Sequence, residues 1–324
     1  MRHLRPILMD FNNMLVTLNT KTRSKTHSHK ITWQQWRQRH HQAITAWIIL
    51  TPVLFYYLLF NVIPVVLNIG LSFTRWNGIS GTPEWVGLAN YARYLKAPYP
   101  LIIFNTAIFA IFILLIQTVL AFFIALLLNE KVMGRGLYRS LWYIPTLTSA
   151  AIMAQIAVIF ISPFDGVLNT MLKSIGLDPI TWTVSGFWMR LFIILFSIWR
   201  GIGIPIVLFL AGLQSIHPEL YDAAKVDGAA SWNLLRYITI PLMRPMIIFV
   251  TVTSLIGSFQ IFEPVWLISK GGPFNQTNVM LFQIYNDAFV NNNLGSASAG
   301  AVIMAIVLLW FSIVNMRLMT EQEE

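Results

Sequence analysis

Residues 219–228 read Glu-Leu-Tyr-Asp-Ala-Ala-Lys-Val-Asp-Gly, and Ile-Thr-Ile-Pro follows at 238–241. They form a polar insert, rich in small residues, between two long apolar stretches. Pro218 precedes the insert and suits the first turn of a helix, because its missing N–H would have no partner there in any case. Gly228 suits the end of that helix, because glycine adopts the left-handed cap without strain. The sequence therefore predicts a helical hairpin over 215–241 on the aqueous side of a membrane protein.

The first arm of this hairpin has side chains that suit docking of another protein. Glu219 and Asp222 fall in the first turn, where the helix dipole favours carboxylates, and both would attract a basic partner. Ala223 and Ala224 are strong helix formers with almost no side chain, so another surface can approach the backbone closely. We therefore interpret the arm as a docking surface.

The second arm is expected to be a short, separate helix. Ser231 is a favourable capping residue, and apolar side chains follow it as far as Ile238. Pro241 lacks a backbone donor and is expected to end this helix before the next membrane span. An ordinary loop packed on its own bundle is the alternative for the whole segment, and the combination of caps and small residues argues against it.

Composition places the chain in a lipid membrane. Hydrophobic residues make up 56% of the sequence and charged residues 11%, whereas soluble domains carry about 25% charged residues. With no cysteine, the chain has neither a disulfide framework nor a thiolate metal site. The net charge of +9 does not indicate nucleic-acid binding, because eight of the 22 lysines and arginines lie in residues 1–42. Basic residues beside a first span are the usual topological anchor.

Six stretches approach the length of about 20 apolar residues that a membrane-crossing helix requires. They lie at about 43–73, 101–128, 138–161, 187–212, 246–268 and 297–316. Fifteen lysines and arginines occupy the N-terminal tail and the segments on its side of the membrane, against five in the opposite loops. The excess predicts cytoplasmic N- and C-termini and a cytoplasmic hairpin between the fourth and fifth spans.

The predicted fold is thus an all-α membrane protein with six transmembrane helices. Residues 1–42 would form a basic cytoplasmic tail, residues 43–319 the membrane domain, and residues 320–324 an acidic C-terminal end.

The hairpin also resembles a known family motif. Asp222-Ala-Ala-x3-Gly228-x9-Ile238-x-Ile-Pro241 resembles the coupling motif of permease subunits of binding-protein-dependent ABC importers, with aspartate where that motif usually has glutamate. Further runs resemble signatures of the carbohydrate-uptake branch, the maltose and glycerol-phosphate type: Ser-Phe-Thr-Arg-Trp-Asn-Gly at 72–78, Trp-Val-Gly-Leu-Ala-Asn-Tyr at 85–91, Trp-Arg-Gly at 199–201 and Gly-Gly-Pro at 271–273. The resemblance covers roughly 43–318, nearly the whole chain except the tail.

The resemblance implies a division of labour among several subunits. This chain would pair with a second permease, as a heterodimer, to form the pathway for a sugar or related solute. Two ATP-binding cassette ATPases would dock beneath the pair, and an extracytoplasmic solute-binding protein would deliver the solute. The location implied is the bacterial plasma (inner) membrane, crossed several times.

The chain itself is expected to be neither an ATPase nor any other enzyme. It contains no Gly-x4-Gly-Lys-Ser/Thr phosphate loop, so ATP and Mg would bind the partner ATPase and no cofactor would bind here. The residues implied in ATPase coupling are Glu219, Asp222, Ala223, Ala224, Gly228 and Pro241, with Asp222 facing a basic residue of the ATPase.

Polar groups inside the apolar stretches are costly and therefore mark candidate solute contacts. The candidates are Arg200, Ser254, Ser258, Gln260 and Glu263. Residues 201–205, Gly-Ile-Gly-Ile-Pro, suit a continuous helix poorly. Each candidate also has a structural interpretation that stays open beside a solute contact. Arg200 would bind the carbonyls freed by that break, and the other polar groups would bond to neighbouring helices. A direct Arg200–Glu263 pair is not expected, because counting helical rise separates them by ~12 Å in depth.

Two rival functions fit the composition less well. An ion-coupled secondary transporter would normally bury several titratable residues and show inverted repeats, whereas the predicted spans hold one glutamate and no repeat is visible. An intramembrane protease or zinc enzyme lacks its residues, because all six histidines lie outside the spans. No metal site is expected.

Overall fold

The structure is a computed structural model of the 324-residue chain that describes residues 33–130 and 133–320. Most of the predicted basic tail, residues 1–32, and nearly all of the acidic end, residues 321–324, lie outside the described residues. The described residues divide into two compact units between Pro64 and Val65, and the site described below belongs entirely to the second.

Within the described residues the chain is almost wholly helical. The helices are α1 (Trp33–Tyr57), α2 (Ile63–Leu71), α3 (Ala89–Arg93), α4 (Tyr99–Asn129), α5 (Arg135–Leu147), α6 (Ala150–Phe160), α7 (Val167–Ser174), α8 (Gly186–Gly201), α9 (Gly203–Gln214), α10 (Pro218–Val226), α11 (Ser231–Leu234), α12 (Ile240–Phe259), α13 (Met280–Tyr285) and α14 (Leu294–Thr320). Five-residue π-helical turns occupy Leu58–Val62, Leu235–Thr239, Val265–Ser269 and Asn286–Val290. Two short strands, β1 (Thr74–Arg75) and β2 (Glu84–Trp85), pair antiparallel with Thr74 opposite Trp85.

Four described helical stretches are long and apolar enough to cross a membrane, or up to six if each of two bent pairs forms one span. The four are Thr45–Leu71, Tyr99–Asn129, Ser231–Phe259 and Leu294–Val314. The bent pairs are α5 with α6, at 95°, and α8 with α9, at 46°. The prediction of a helical membrane protein is therefore confirmed at the level of four to six spans.

The predicted third span, 138–161, is two helices rather than one. Pro145 lies within α5, where its missing N–H removes a helical hydrogen bond. Thr148 and Ser149 then take extended backbone conformations, with ψ of 145° and 128°. The chain consequently turns by 95° before α6 begins.

The predicted fifth span, 246–268, is wrong at both ends. The helix begins at Ser231 and continues through the π-helical turn at Leu235–Thr239 to Phe259. Pro241 does not end the second arm as predicted. The π turn before it resets the hydrogen-bond register, with the N–H of Ile240 donating to the carbonyl of Leu235, so the missing proline donor falls in the first turn of α12.

The core of the second unit is built around α4. This helix packs against α8, α9 and α12, and its fully buried Phe109 belongs to the same apolar cluster as Phe209, Met243 and Val250. Alanines on α4, at 121 and 125, are completely buried and let the neighbouring helices approach closely. This packing positions α8, α9 and α12, the helices whose breaks form the site.

Candidate functional site

The first part of the site is α10, an exposed nine-residue helix with the predicted ends. Pro218 opens it and Glu219 lies in its first turn, whereas Asp222, also predicted there, lies beyond it because the helix begins at Pro218. Gly228 follows it with a φ of +80°, a conformation that favours glycine. Its N–H donates to the carbonyl of Lys225 at 3.0 Å, and the N–H of Ala229 donates to the carbonyl of Ala224 at 2.9 Å. These two bonds form a Schellman cap, so the helix end depends on this glycine.

The outer surface of α10 is open to a partner. None of its residues is buried, and Ala223 is exposed while Ala224 is half-buried. The carboxylate of Asp222 lies 3.7 Å from the ammonium of Lys225, with both side chains more than half exposed. Such loose surface pairs contribute little stability, so the carboxylate is free to exchange this partner for another.

Large apolar side chains flank this polar helix. Val226 is 88% exposed and Trp232 is 63% exposed, both in the insert that the charge pattern assigns to water. The exposed surface of α10 and the turn after it thus combines carboxylates with apolar side chains.

The second arm joins α10 to a candidate membrane span. The hydroxyl groups of Tyr221 on α10 and Thr239 lie 3.1 Å apart, which ties the two arms together. Ser231 does not cap the second arm as predicted: Ala230 holds the capping position, and no side chain makes a capping bond there. The second arm is instead the beginning of the continuous 29-residue helix Ser231–Phe259.

The second part of the site is a cavity of about 600 Å³ where two helix breaks meet. One break is at Ile202, between α8 and α9; the other follows the end of α12, at 260–262. All five predicted pathway residues line this cavity: Arg200, Ser254, Ser258, Gln260 and Glu263. The structure thus brings together residues that are as much as 63 positions apart in the sequence.

Within the cavity, Arg200 and Glu263 form an ion pair, with 3.1 Å between Nη1 and Oε2. The prediction that these residues would not pair is wrong. It assumed straight helices, whereas α8 bends by 46° into α9 and Glu263 lies beyond the end of α12. Both side chains can therefore reach the same depth.

The carbonyls freed at the first break are bonded by neighbouring helices. The hydroxyl of Thr146 donates to the carbonyl of Arg200 at 2.8 Å, and the amide of Gln117 donates to that of Gly201 at 3.4 Å. A β-carbon added to Gly203 would lie 2.8 Å from the Thr146 hydroxyl oxygen, so a glycine lets α9 approach α5 this closely. The Arg200 side chain is thus left to face the cavity and Glu263.

Sequence reasoning missed Gln117, which also lines the cavity. The sequence could have indicated this residue, because its polar amide lies in the middle of the apolar stretch 101–128. Amides inside a membrane span, like charges, need partners.

A second missed feature is the fully buried carboxylate of Asp287. Four side chains donate hydrogen bonds to it at 3.0–3.2 Å: Tyr99, Gln283, Asn291 and Ser296. These donors come from α4, α13 and α14 and the turn before α14, so the carboxylate ties the N-terminal ends of α4 and α14 to α13. No sequence motif marks it, since the prediction placed it in an ordinary loop.

Tyr94 packs beside this carboxylate network. Its hydroxyl donates to the carbonyl of Ser296 at 3.0 Å. Burial raises the pKa of Tyr94 well above its usual value, and the nearby charge of Asp287 raises it further. The hydroxyl therefore stays protonated and remains a donor at neutral pH.

Comparison with known proteins places this geometry in a family. The sequence profile described as "Binding-protein-dependent transport system inner membrane component" matches residues 117–320. The chain belongs to this family. The predictions of an ABC transporter permease, of a subunit that is not itself an enzyme and of a multi-pass bacterial inner-membrane protein are thereby confirmed.

Individual relatives agree with the family assignment. The permease is 31% identical over 283 residues to the lactose transport system permease protein of Rhizobium radiobacter, covering 84% of this chain and 92% of that relative. Its fold is similar to that of a crystal structure of a bacterial ABC transporter involved in the import of the acidic polysaccharide alginate. That match has a TM-score of 0.78 at 26% identity and covers 90% of this chain and 100% of the other.

A second solved structure includes a soluble component. It is a bacterial alginate ABC transporter in complex with an alginate pentasaccharide-bound periplasmic protein, with a TM-score of 0.75 at 26% identity, covering 86% of this permease and 95% of that chain. Among the described residues of the permease, no group of three or more histidine, aspartate or glutamate side chains is placed to hold a metal ion.

Proposed function

We propose that this permease forms half of the translocation pathway of an ATP-driven sugar importer. Its relatives include a lactose permease and an alginate importer, which supports a carbohydrate as the solute. A second permease would complete the pathway, two ATPases would dock at α10, and an extracytoplasmic binding protein would deliver the solute. The proposal includes six spans with both termini in the cytoplasm, as the distribution of lysine and arginine favours.

One observation carries this proposal: a continuous structural link joins the exposed helix α10 to the cavity. The link runs from α10 through the Gly228 turn into the helix Ser231–Phe259, whose last turns line the cavity from Thr253 onward. That helix is about 43 Å long at 1.5 Å per residue, which is enough to cross a membrane. A displacement imposed on α10 would therefore reach the cavity along one continuous helical segment.

The proposed mechanism follows from this link. ATP binding and hydrolysis in the docked ATPases would move α10, with Glu219, Asp222, Ala223 and Ala224 forming the contact and Gly228 holding its end. The movement would be passed through Pro241 and α12 to the break at Gln260, and would open the cavity to alternate sides of the membrane.

In the cavity, the solute would meet groups that suit a sugar. Ser254, Ser258 and Gln260 offer hydroxyl and amide groups, and the ion pair of Arg200 with Glu263 offers both donors and acceptors. Phe262 adds an aromatic ring to the same lining, and apolar rings with a few polar groups are typical of small-molecule sites.

The docking role is tested by Ala224→Arg in the complete transporter. We expect a long cation on this close-contact surface to prevent ATPase docking, because the space that alanine leaves would be filled. The amount of ATPase that co-purifies with the permease and ATP-dependent uptake of the sugar bound by the cognate receptor should both fall at least about tenfold, equivalent to about 1.4 kcal/mol or more.

The matched control is Met171→Arg, which places the same side chain on an exposed position of another short helix, α7. It should leave ATPase co-purification unchanged, and the Ala224→Arg chain should reach the membrane at the normal level. Stoichiometric ATPase and normal coupled uptake in the Ala224→Arg transporter would contradict the proposal.

A further inference from the structure

The charged side chains that line the cavity form a single ion pair. Arg200 and Glu263 are the only charged residues among the described residues that line it. Their side chains are 26% and 51% exposed and lie 3.1 Å apart. The lining contributed by this permease is therefore electrically neutral, although it contains an arginine.

The arginine still has unused hydrogen-bonding capacity. A guanidinium carries five N–H donors, and Nη1 faces Glu263. The Nε atom is buried and has no hydrogen-bond partner among the described residues, so it is out of reach of a ligand. The side chain as a whole is 26% exposed, and a ligand oxygen in the cavity can accept from a terminal N–H that Glu263 does not use while the ion pair stays intact.

We propose that Glu263 determines the charge specificity of this half of the pathway. By neutralising Arg200, it adapts the cavity to uncharged, hydroxyl-bearing sugars and disfavours solutes that carry a carboxylate. This inference rests on the proposed role of the cavity as the solute path, and it adds the chemical class of the solute.

The physical reason is the cost of exchanging one carboxylate for another. An acidic sugar would have to displace Glu263 from the guanidinium and leave it as an unpaired charge in a partly buried cavity. If both carboxylates stayed, they would repel each other across the same arginine. A neutral sugar avoids both costs, because its hydroxyl groups can donate to Glu263 and accept from Arg200.

The related transporters indicate that side chains, rather than the fold, select between charged and uncharged solutes. A similar fold serves the import of an acidic polysaccharide, alginate, while a sequence relative is named for lactose. The fold thus does not determine whether the solute is charged. Specificity of this kind commonly comes from an element that repels the wrong ligand, and Glu263 is placed to act as that element.

The absence of cysteine from the chain allows a direct measurement of the charge in the cavity. Ser254→Cys places one thiol in the lining. In membrane vesicles containing the assembled transporter, the thiol is treated with 2-sulfonatoethyl methanethiosulfonate, an anion, or with 2-(trimethylammonium)ethyl methanethiosulfonate, a cation. Modification of this chain is followed by mass spectrometry, and each rate is divided by the rate for a free thiol.

With the ion pair intact, we expect the corrected rates for anion and cation to be similar. Glu263→Gln should raise the anion-to-cation ratio at least about tenfold, because the two reagents respond to the freed arginine with opposite sign. Arg200→Gln should lower the ratio by a similar factor. The double variant should restore it to near the starting value.

Two further variants make the result decisive. Ile79→Cys, an exposed residue outside the cavity, should show no change of ratio in any background. Thr253→Cys, which lines the same cavity, should reproduce the shift and replaces the first thiol if that variant does not assemble.

An unchanged ratio in Glu263→Gln at either thiol would overturn the inference. So would failure of both thiols to react with neutral methyl methanethiosulfonate, because the cavity would then not be reached from water. Neither result depends on ATPase docking, so the charge inference and the docking proposal fail separately.

Discussion

Gly228→Pro is expected to abolish coupled transport while leaving the permease in the membrane. The native φ of +80° is incompatible with the proline ring, which fixes φ near −65°. The substitution also removes the N–H that donates to the Lys225 carbonyl. The Schellman cap would be lost, and α10 would no longer be held against the start of the Ser231–Phe259 helix. Binding-protein-stimulated ATPase activity in proteoliposomes should fall to the unstimulated level.

The chain offers a matched control for this substitution. Gly176 follows α7 with a φ of +79° and a cap of the same type, in which its N–H donates to the carbonyl of Lys173 and the N–H of Leu177 donates to that of Leu172. Gly176→Pro should disturb its own loop equally but leave ATPase co-purification intact. Stimulated ATPase activity in Gly228→Pro equal to the native level would show that the cap is not needed for coupling.

The local parts of the site were predictable from the sequence because their causes are local. Pro218 and Gly228 act on hydrogen bonds within a few residues of themselves, and the helix between them begins and ends as predicted. The pathway residues were found for a similar reason. Each is a polar group in an apolar stretch, and all five line the cavity, although their contact with solute remains a prediction.

Predictions failed where backbone geometry depends on longer-range adjustments. Pro241 was expected to break a helix, but a π-helical turn before it absorbs the missing donor. Arg200 and Glu263 were expected to lie at different depths, but two helix breaks bring them into contact. The π turn has no sequence signature that sets its position. The run Gly-Ile-Gly-Ile-Pro at 201–205 did mark the place of the bend, but neither the bend angle nor the contact that it creates could be read from the sequence.

In the proposed mechanism, α10 and the helix breaks at the cavity are mechanically connected. A helix that ends inside the membrane leaves polar backbone groups that need partners, and such breaks are tolerated where they line a cavity. Here the break at 260–262 lies at the far end of the helix that begins beside α10. In the proposed mechanism, a movement of α10 would thus be delivered to a break that lines the cavity.

Asp287→Ala is expected to be the most destabilising of the substitutions considered. It removes the acceptor of four side-chain donors around a carboxylate that is fully buried. A buried donor left without a partner costs about 1–3 kcal/mol, so a total loss of about 3 kcal/mol or more is expected even if some donors find new partners. The midpoint of thermal unfolding, followed by tryptophan fluorescence of the permease in detergent, should fall by roughly 5–10 °C.

Two variants separate loss of the network from loss of a charge. Asp178→Ala removes an exposed aspartate and should leave the midpoint almost unchanged, since surface substitutions are usually within about 0.5 kcal/mol of neutral. Asp287→Asn keeps one acceptor oxygen in place and should lie between the native chain and Asp287→Ala. Because Asp287 ties the ends of α4 and α14 together rather than lining the cavity, Asp287→Ala should also leave the anion-to-cation ratio at the Ser254→Cys thiol unchanged in whatever fraction remains folded. Equal unfolding midpoints for Asp287→Ala and Asp178→Ala would show that the carboxylate does not hold these helix ends.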